Sequence, residues 1–195
     1  MNAEAPRLFV GLPLPPELAH ALHTRFAPDF ERAGWRVLLP VDLHITLVFL
    51  GSVAVERIGE LERALRVEFE GATAIDLCFD ATGAFPSAGR ARVAWAGGEG
   101  LSRSTHALHL RALRAARLFV PSVDQDAGSV PWTAHATLAR PPGGKRVRPP
   151  AGFLDAGVSF DGRGVELALF ESRPDRPPGA RYPRRFQIPL IPPPA

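Results

Sequence analysis

Asp42-Leu43-His44-Ile45-Thr46-Leu47-Val48-Phe49-Leu50-Gly51 decides the reading of this chain, because its centre, His44-Ile45-Thr46-Leu47, returns 91 positions later as His135-Ala136-Thr137-Leu138. With six His, seven Thr and 23 Leu in 195 residues, chance supplies about 0.03 His-x-Thr-Leu per chain, so two copies mark an internal repeat. The run from Leu43 to Leu50 is rich in Leu, Ile, Val, Phe and Thr and stops at Gly51, which predicts a buried strand closed by a turn. Strand side chains alternate faces. His44, Thr46 and Val48 are therefore expected on one face and Ile45, Leu47 and Phe49 on the other. In the second copy His135 and Thr137 share a face, backed by Ala136 and Leu138.

Two imidazoles facing each other across a cleft suit concerted acid and base catalysis, since an unperturbed histidine pKa of about 6.5 lets one be neutral while the other is protonated. Thr46 and Thr137, on the same faces as the histidines, can donate hydroxyl hydrogen bonds to oxygens on which negative charge builds. The residues alone leave open which histidine is the acid.

The paired motifs resemble those of the two-histidine (2H) phosphoesterases, and the wider pattern is similar to the RNA 2′,3′-cyclic phosphodiesterases, historically called 2′-5′ RNA ligases. The matching stretches are Arg7-Leu8-Phe9-Val10 with Pro13 and Pro15, Asp42 to Gly51, Gly83-Ala84-Phe85-Pro86 with Arg92-Val93-Ala94-Trp95, His135 to Arg140, and Phe170-Glu171-Ser172-Arg173 with Arg181-Tyr182. The resemblance implies that His44 is the proton donor and His135 the acceptor, that a 2′-phosphomonoester is released, and that Arg140, five residues after His135, holds phosphate. It implies no cofactor and no metal, and RNA ends bearing a 2′,3′-cyclic phosphate as partners. The reverse reaction would join a 5′-hydroxyl end to a cyclic phosphate without ATP. The resemblance also places the Gly83 to Arg92 corner near the substrate, where Phe85 can stack on a base and Arg90 or Arg92 can meet phosphate, whereas the residues by themselves favour Phe85 in the core and both arginines on the surface. Two positions depart from the family pattern: Val48 stands where a basic residue is common, and Ala134 where a proline usually precedes the second histidine. Two other readings stay open. One is a 2H esterase acting on small cyclic nucleotides or 2′-5′ oligoadenylates, and the other is a non-catalytic RNA-end binding protein.

The order strand, helix, motif strand, helix, strand recurs around each motif. It predicts an α+β fold of two pseudo-symmetric lobes, each an antiparallel sheet with helices outside, with the catalytic cleft between the sheets. Residues 1–195 are read as one domain of two intertwined lobes, since no stretch has the composition of an interdomain linker. Strands are expected at Arg7 to Leu12, Trp35 to Leu38, Thr73 to Phe79, Arg92 to Ala96, around Gly162 and at Tyr182 to Leu190. Helices are expected at Leu14 to about Phe26, with proline in the first turn, over 55–70, where apolar positions recur at 55, 58, 61, 65 and 69, and at Leu101 to Phe119. Thr82 to Arg90, Pro121 to Pro131 and the basic Arg140 to Pro150 segment read as loops.

The net charge of +3 and pI near 9.9 favour an anionic partner only modestly. Of 23 basic residues, 22 are arginine and only Lys145 is lysine. Arginine's planar fork suits phosphate, but the abundance of Ala, Gly and Pro points rather to a GC-rich genome choosing Arg codons. Cys78 is the only cysteine, which excludes an internal disulfide and a cysteine-based zinc site and fits a reducing compartment. No basic-then-apolar leader and no run of about 18 apolar residues is present. A cytoplasmic monomer without membrane association is expected. His20 and His23, like His106 and His109, lie at i, i+3 on helices, lack further ligands nearby, and are read as solvated.

Overall fold

The computed structural model describes residues 5–120 and 132–192. The expected loop at Pro121 to Pro131 lies outside them. Each motif strand is preceded by a strand and a helix. In the first unit these are β1 (Arg7–Pro13), α1 (Pro16–Arg32) and β3 (His44–Ser52), with the short β2 (Arg36–Val37) between the last two. The second unit is β6 (Val93–Gly97), α3 (Glu99–Arg117) and β7 (His135–Arg140). The linking segment supplies α2 (Ile58–Glu68), β4 (Ile75–Phe79) and β5 (Ala81–Phe85). The C-terminal part adds β8 (Phe160–Gly164), β9 (Glu166–Glu171) and β10 (Arg184–Pro189).

The α+β architecture with two antiparallel half-sheets is present, and the half-sheets are joined. An eight-stranded sheet runs β10-β9-β1-β3-β7-β6-β5 with β2 paired to β7, while β4 and β8 form a separate ribbon. The two motif strands meet at a single antiparallel pair, Ile45 with Ala136. Both residues are fully buried, so the seam is anchored from behind. The helices exchange sides: α1 packs on β2 and β7, and α3 packs on β3 and β4. No helix among the described residues is long and apolar enough to cross a membrane.

Two expected boundaries moved for packing reasons. Helix α1 continues past Phe26 to Arg32 despite Pro28, because Phe30 extends the buried Leu18, Leu22, Phe26 stripe. Residues 81–85, expected in a loop, form β5, paired along its length with β6.

A further difference lies inside the motifs. Val10 pairs with Val48 and Gly11 with Thr46, so Leu47 has no partner on β1. Ala94 pairs with Ala139 and Trp95 with Thr137, which leaves Leu138 unmatched in the same way. Each motif leucine is thus a β-bulge, and a bulge shifts the phase of the side chains that follow it. Val48 is consequently buried and Phe49 is 65% exposed, which reverses the expected faces. In β7 Ala139 is buried and Arg140 returns to the side of His135 and Thr137.

Both bulge carbonyls are capped. Leu38 N–H donates to Leu138 O at 2.9 Å, and His109 Nδ1 donates to Leu47 O at 2.7 Å. His109 is therefore a buried structural residue, 8% exposed, and not the solvated one expected. Its ring stacks on Trp132 at 4.1 Å, whose Nε1 donates to Thr46 O at 3.3 Å. His109→Phe keeps the stacking area but orphans the Leu47 carbonyl, and should lower unfolding free energy by about 1–3 kcal/mol. Urea denaturation checks this, and a loss below about 0.5 kcal/mol would show that the cap is dispensable.

Candidate active site

The seam at Ile45 and Ala136 brings the expected site residues together. Antiparallel register turns His44 toward Thr137 and His135 toward Thr46. The histidines are close enough that the charge of His135 acts on His44, and the charge of Arg140 acts on both. No intramolecular hydrogen bond among the described residues engages the hydroxyl of Thr46 or Thr137.

Each imidazole is oriented by the carbonyl two residues before it. His44 Nδ1 donates to Asp42 O at 2.7 Å, and His135 Nδ1 donates to Thr133 O at 2.8 Å. Such a bond fixes the neutral tautomer and leaves Nε2 with its lone pair. Gly97 lets the second strand start close to its neighbour, since a Cβ there would stand 2.5 Å from Ala134 O. Ala134, which stands where the resembling family usually has proline, is fully buried.

Around His44 stand Phe9 at 4.8 Å, Tyr182 at 4.8 Å and Phe170 at 5.3 Å between ring centres. Phe49 leans on Phe9 at 5.5 Å and forms the exposed rim of this group. His135 meets Phe85 edge-on at 5.0 Å and Trp95 at 6.1 Å. Burial among these rings, which disfavours the charged form, pushes His44 down to about 4, with the charges of His135 and Arg140 acting in the same direction against the Asp42 hydrogen bond. His135 is also lowered, chiefly by burial and further by Arg140. Both imidazoles are therefore neutral at neutral pH.

Asp42 does a second job. Its buried carboxylate accepts from Gly179 N–H at 2.7 Å, tying the turn that leads to Arg181 and Tyr182 against the start of β3. Arg140 also lines a depression of about 440 Å³, together with Arg36, Arg92, Lys145 and the Pro141 to Gly144 turn. Of the corner residues, Phe85 packs on His135, Arg92 lines this depression, and Arg90 is exposed. His20 and His106 are exposed and His23 half-buried. No group of three or more His, Cys, Asp or Glu among the described residues is placed to hold a metal ion.

Phe49, Tyr182, Arg36 and His109 are the residues that sequence reasoning missed or misplaced. For Tyr182 the available signal was its place in a matching stretch; for Phe49 the signal was overridden by assuming unbroken strand alternation.

Residues 12–95 match the LigT like Phosphoesterase family model. The RNA 2′,3′-cyclic phosphodiesterase of Thermus thermophilus is 30% identical over 181 residues, covering 88% of this chain and 85% of that protein. The Archaeoglobus fulgidus protein of the same name is 33% identical over 92 residues, and that match spans 47% of this chain and 51% of the archaeal one. Among solved structures, a Thermus thermophilus protein superposes with a TM-score of 0.72 at 26% identity, covering 94% of this chain and 97% of its own. E. coli LigT complexed with 3′-AMP gives 0.69 at 25% identity over 96% and 99%.

The depressed His44 makes a stability prediction. Its folded pKa lies below the unfolded value, so the unfolded chain binds the extra proton, and this contribution is complete above pH 6.5 and lost as pH falls toward 4. The loss amounts to at most about 3 kcal/mol. His44→Asn should flatten the pH dependence of the urea midpoint over that window relative to wild type. Unchanged curves would show that His44 titrates normally in the folded protein.

Proposed function

The chain belongs to the LigT-like two-histidine phosphoesterases, and from that premise we propose that it hydrolyses the 2′,3′-cyclic phosphate ends of RNA to 2′-phosphomonoesters. The observation that carries the reading is the matched pair of Nδ1 hydrogen bonds, which leaves an unbonded Nε2 on each of two adjacent imidazoles. Neutral His135 takes a proton from water as its oxygen attacks phosphorus. The bond from phosphorus to the 3′ oxygen breaks, and that oxygen takes the proton from protonated His44. Thr46 and Thr137 donate to the non-bridging oxygens, whose charge increases in the transition state. Arg140 adds a fixed positive charge beside them. Phe49, exposed on the rim beside the His44 rings, offers a stacking face to the terminal base.

The low pKa of His44 bears directly on its role as acid. At a pKa of about 4 it holds no proton at neutral pH, and the neighbouring Arg140 charge opposes protonation. A cyclic phosphate brings the counter-charge that stabilises imidazolium, so substrate binding and proton uptake by His44 are coupled. Run backwards, the same steps join a 5′-hydroxyl end to a cyclic phosphate.

The test is incubation with RNAs ending in a 2′,3′-cyclic phosphate, cyclic mononucleotides and 2′-5′ oligomers, with phosphorus NMR locating the product phosphate. Formation of 2′-phosphomonoesters, unaffected by chelators, is expected, with kcat/KM lowered at least about 10²-fold by His44→Ala or His135→Ala. The descending limb of kcat should lie at higher pH than that of kcat/KM, because the bound anion raises the acid's pKa. Products that are 3′-phosphates, or coincident limbs, would contradict this account.

A further inference from the structure

We propose that the basic depression beside Arg140 is a second phosphate site, which holds an internucleotide phosphate upstream of the reacting end and makes the protein select RNA chains over cyclic mononucleotides. This rests on the reading of the reacting site given above.

The depression adjoins the reacting site through Arg140, which lines it and lies on the same strand as His135 and Thr137. Arg36 and Arg140 are direct cross-strand partners of β2 and β7, and such partners project to the same side of a sheet. After the Leu138 bulge that side is the one carrying His135. Arg36 also feels the charges of Arg181 and Arg140, which with its burial lower its pKa, against Tyr182. Tyr182 packs on His44. At the other end, Arg92 N–H donates to Phe85 O at 2.7 Å, and Phe85 packs on His135. A volume of about 440 Å³ lies within the range that accommodates a small ligand.

Its charge is uncompensated. Several arginines elsewhere pair with carboxylates: Arg114 with Glu68, Arg163 with Asp76, Arg184 with Glu166, and both Arg173 and Arg185 with Glu171. Among the described residues, Arg36, Arg92, Arg140 and Lys145 have no acidic partner, and no acidic side chain lines the depression. Like charges directly opposed across strands are destabilising. An anion seated between them reverses the sign, and the planar forks of three arginines suit a phosphodiester. The turn at Gly143 and Gly144 has positive φ, 59° and 67°, so it closes tightly without side chains that would obstruct the depression. A chain whose terminal phosphate lies between the histidines enters past Arg140 into this space.

The experiment compares hydrolysis of uridine 2′,3′-cyclic phosphate, the same nucleotide with a 5′-phosphate, and a cyclic-phosphate-ended tetranucleotide, and measures binding of the unreactive 2′-phosphate products by calorimetry. For wild type, adding the 5′-phosphate alone should raise kcat/KM at least about tenfold, and the tetranucleotide should do no worse. In Arg36→Gln/Lys145→Gln that ratio should fall below about threefold, and the slope of log affinity for the tetranucleotide product against log salt should drop by about 0.7 for each phosphate charge no longer neutralised. Arg103→Gln, on the outward side of α3, should change neither ratio nor slope. A wild-type ratio near one, or a ratio that survives the double substitution, would overturn the second site. Failure to hydrolyse any of the three, with chain-length-dependent binding intact, would instead overturn the reading of the reacting site and leave the second site standing.

Discussion

One antiparallel pair, Ile45 with Ala136, is the constraint on which the site depends. Each partner is flanked by its motif's histidine and threonine, so joining the strands here brings two acid-base groups and two hydroxyl donors together. No other residue pair joins β3 to β7 among the described residues. Helices packed across the seam hold it: α1, which follows the first strand, lies on β7, and α3 lies on β3. This exchange makes the cleft geometry a property of both halves, because neither motif strand is supported only by its own unit.

The same constraint explains why a near-symmetric frame becomes chemically directional. Both motif leucines bulge, both bulge carbonyls are capped, and both histidines bond the carbonyl two residues earlier. The residue that each bulge turns outward then differs: Phe49 on one side, Arg140 on the other. Aromatic rings surround His44, whereas positive charge gathers beyond Arg140. The two halves of the site thus differ in character, one aromatic and the other basic.

Much of this was legible in the sequence, since the 91-residue recurrence isolates the histidines, the threonines and their strands, and the helices follow from their apolar stripes. Period-two alternation failed at Val48 and Phe49 because a bulge is a property of pairing, invisible until Val10 and Gly11 are seen opposite β3. His109 was misread for a related reason: its partner, Leu47 O, is 62 residues away, and only the bulge leaves that carbonyl to be capped by a side chain. The segment 81–85 carries turn-forming residues, yet pairing with β6 supplies the hydrogen bonds that local propensity does not. Arg36 gave no signal in a chain with 22 arginines, since what singles it out is its opposition to Arg140.

We propose that the two histidines divide the work, with His44 protonating the leaving oxygen and His135 activating water. A phosphodiester with an activated phenol as leaving group needs the base but not the acid, so rates of His44→Ala and His135→Ala on such a substrate, relative to the cyclic phosphate, test it most directly. His44→Ala should recover most of its lost rate while His135→Ala stays slow. Recovery by His135→Ala instead would mean that the roles are exchanged, and no recovery by either would contradict the division of labour altogether.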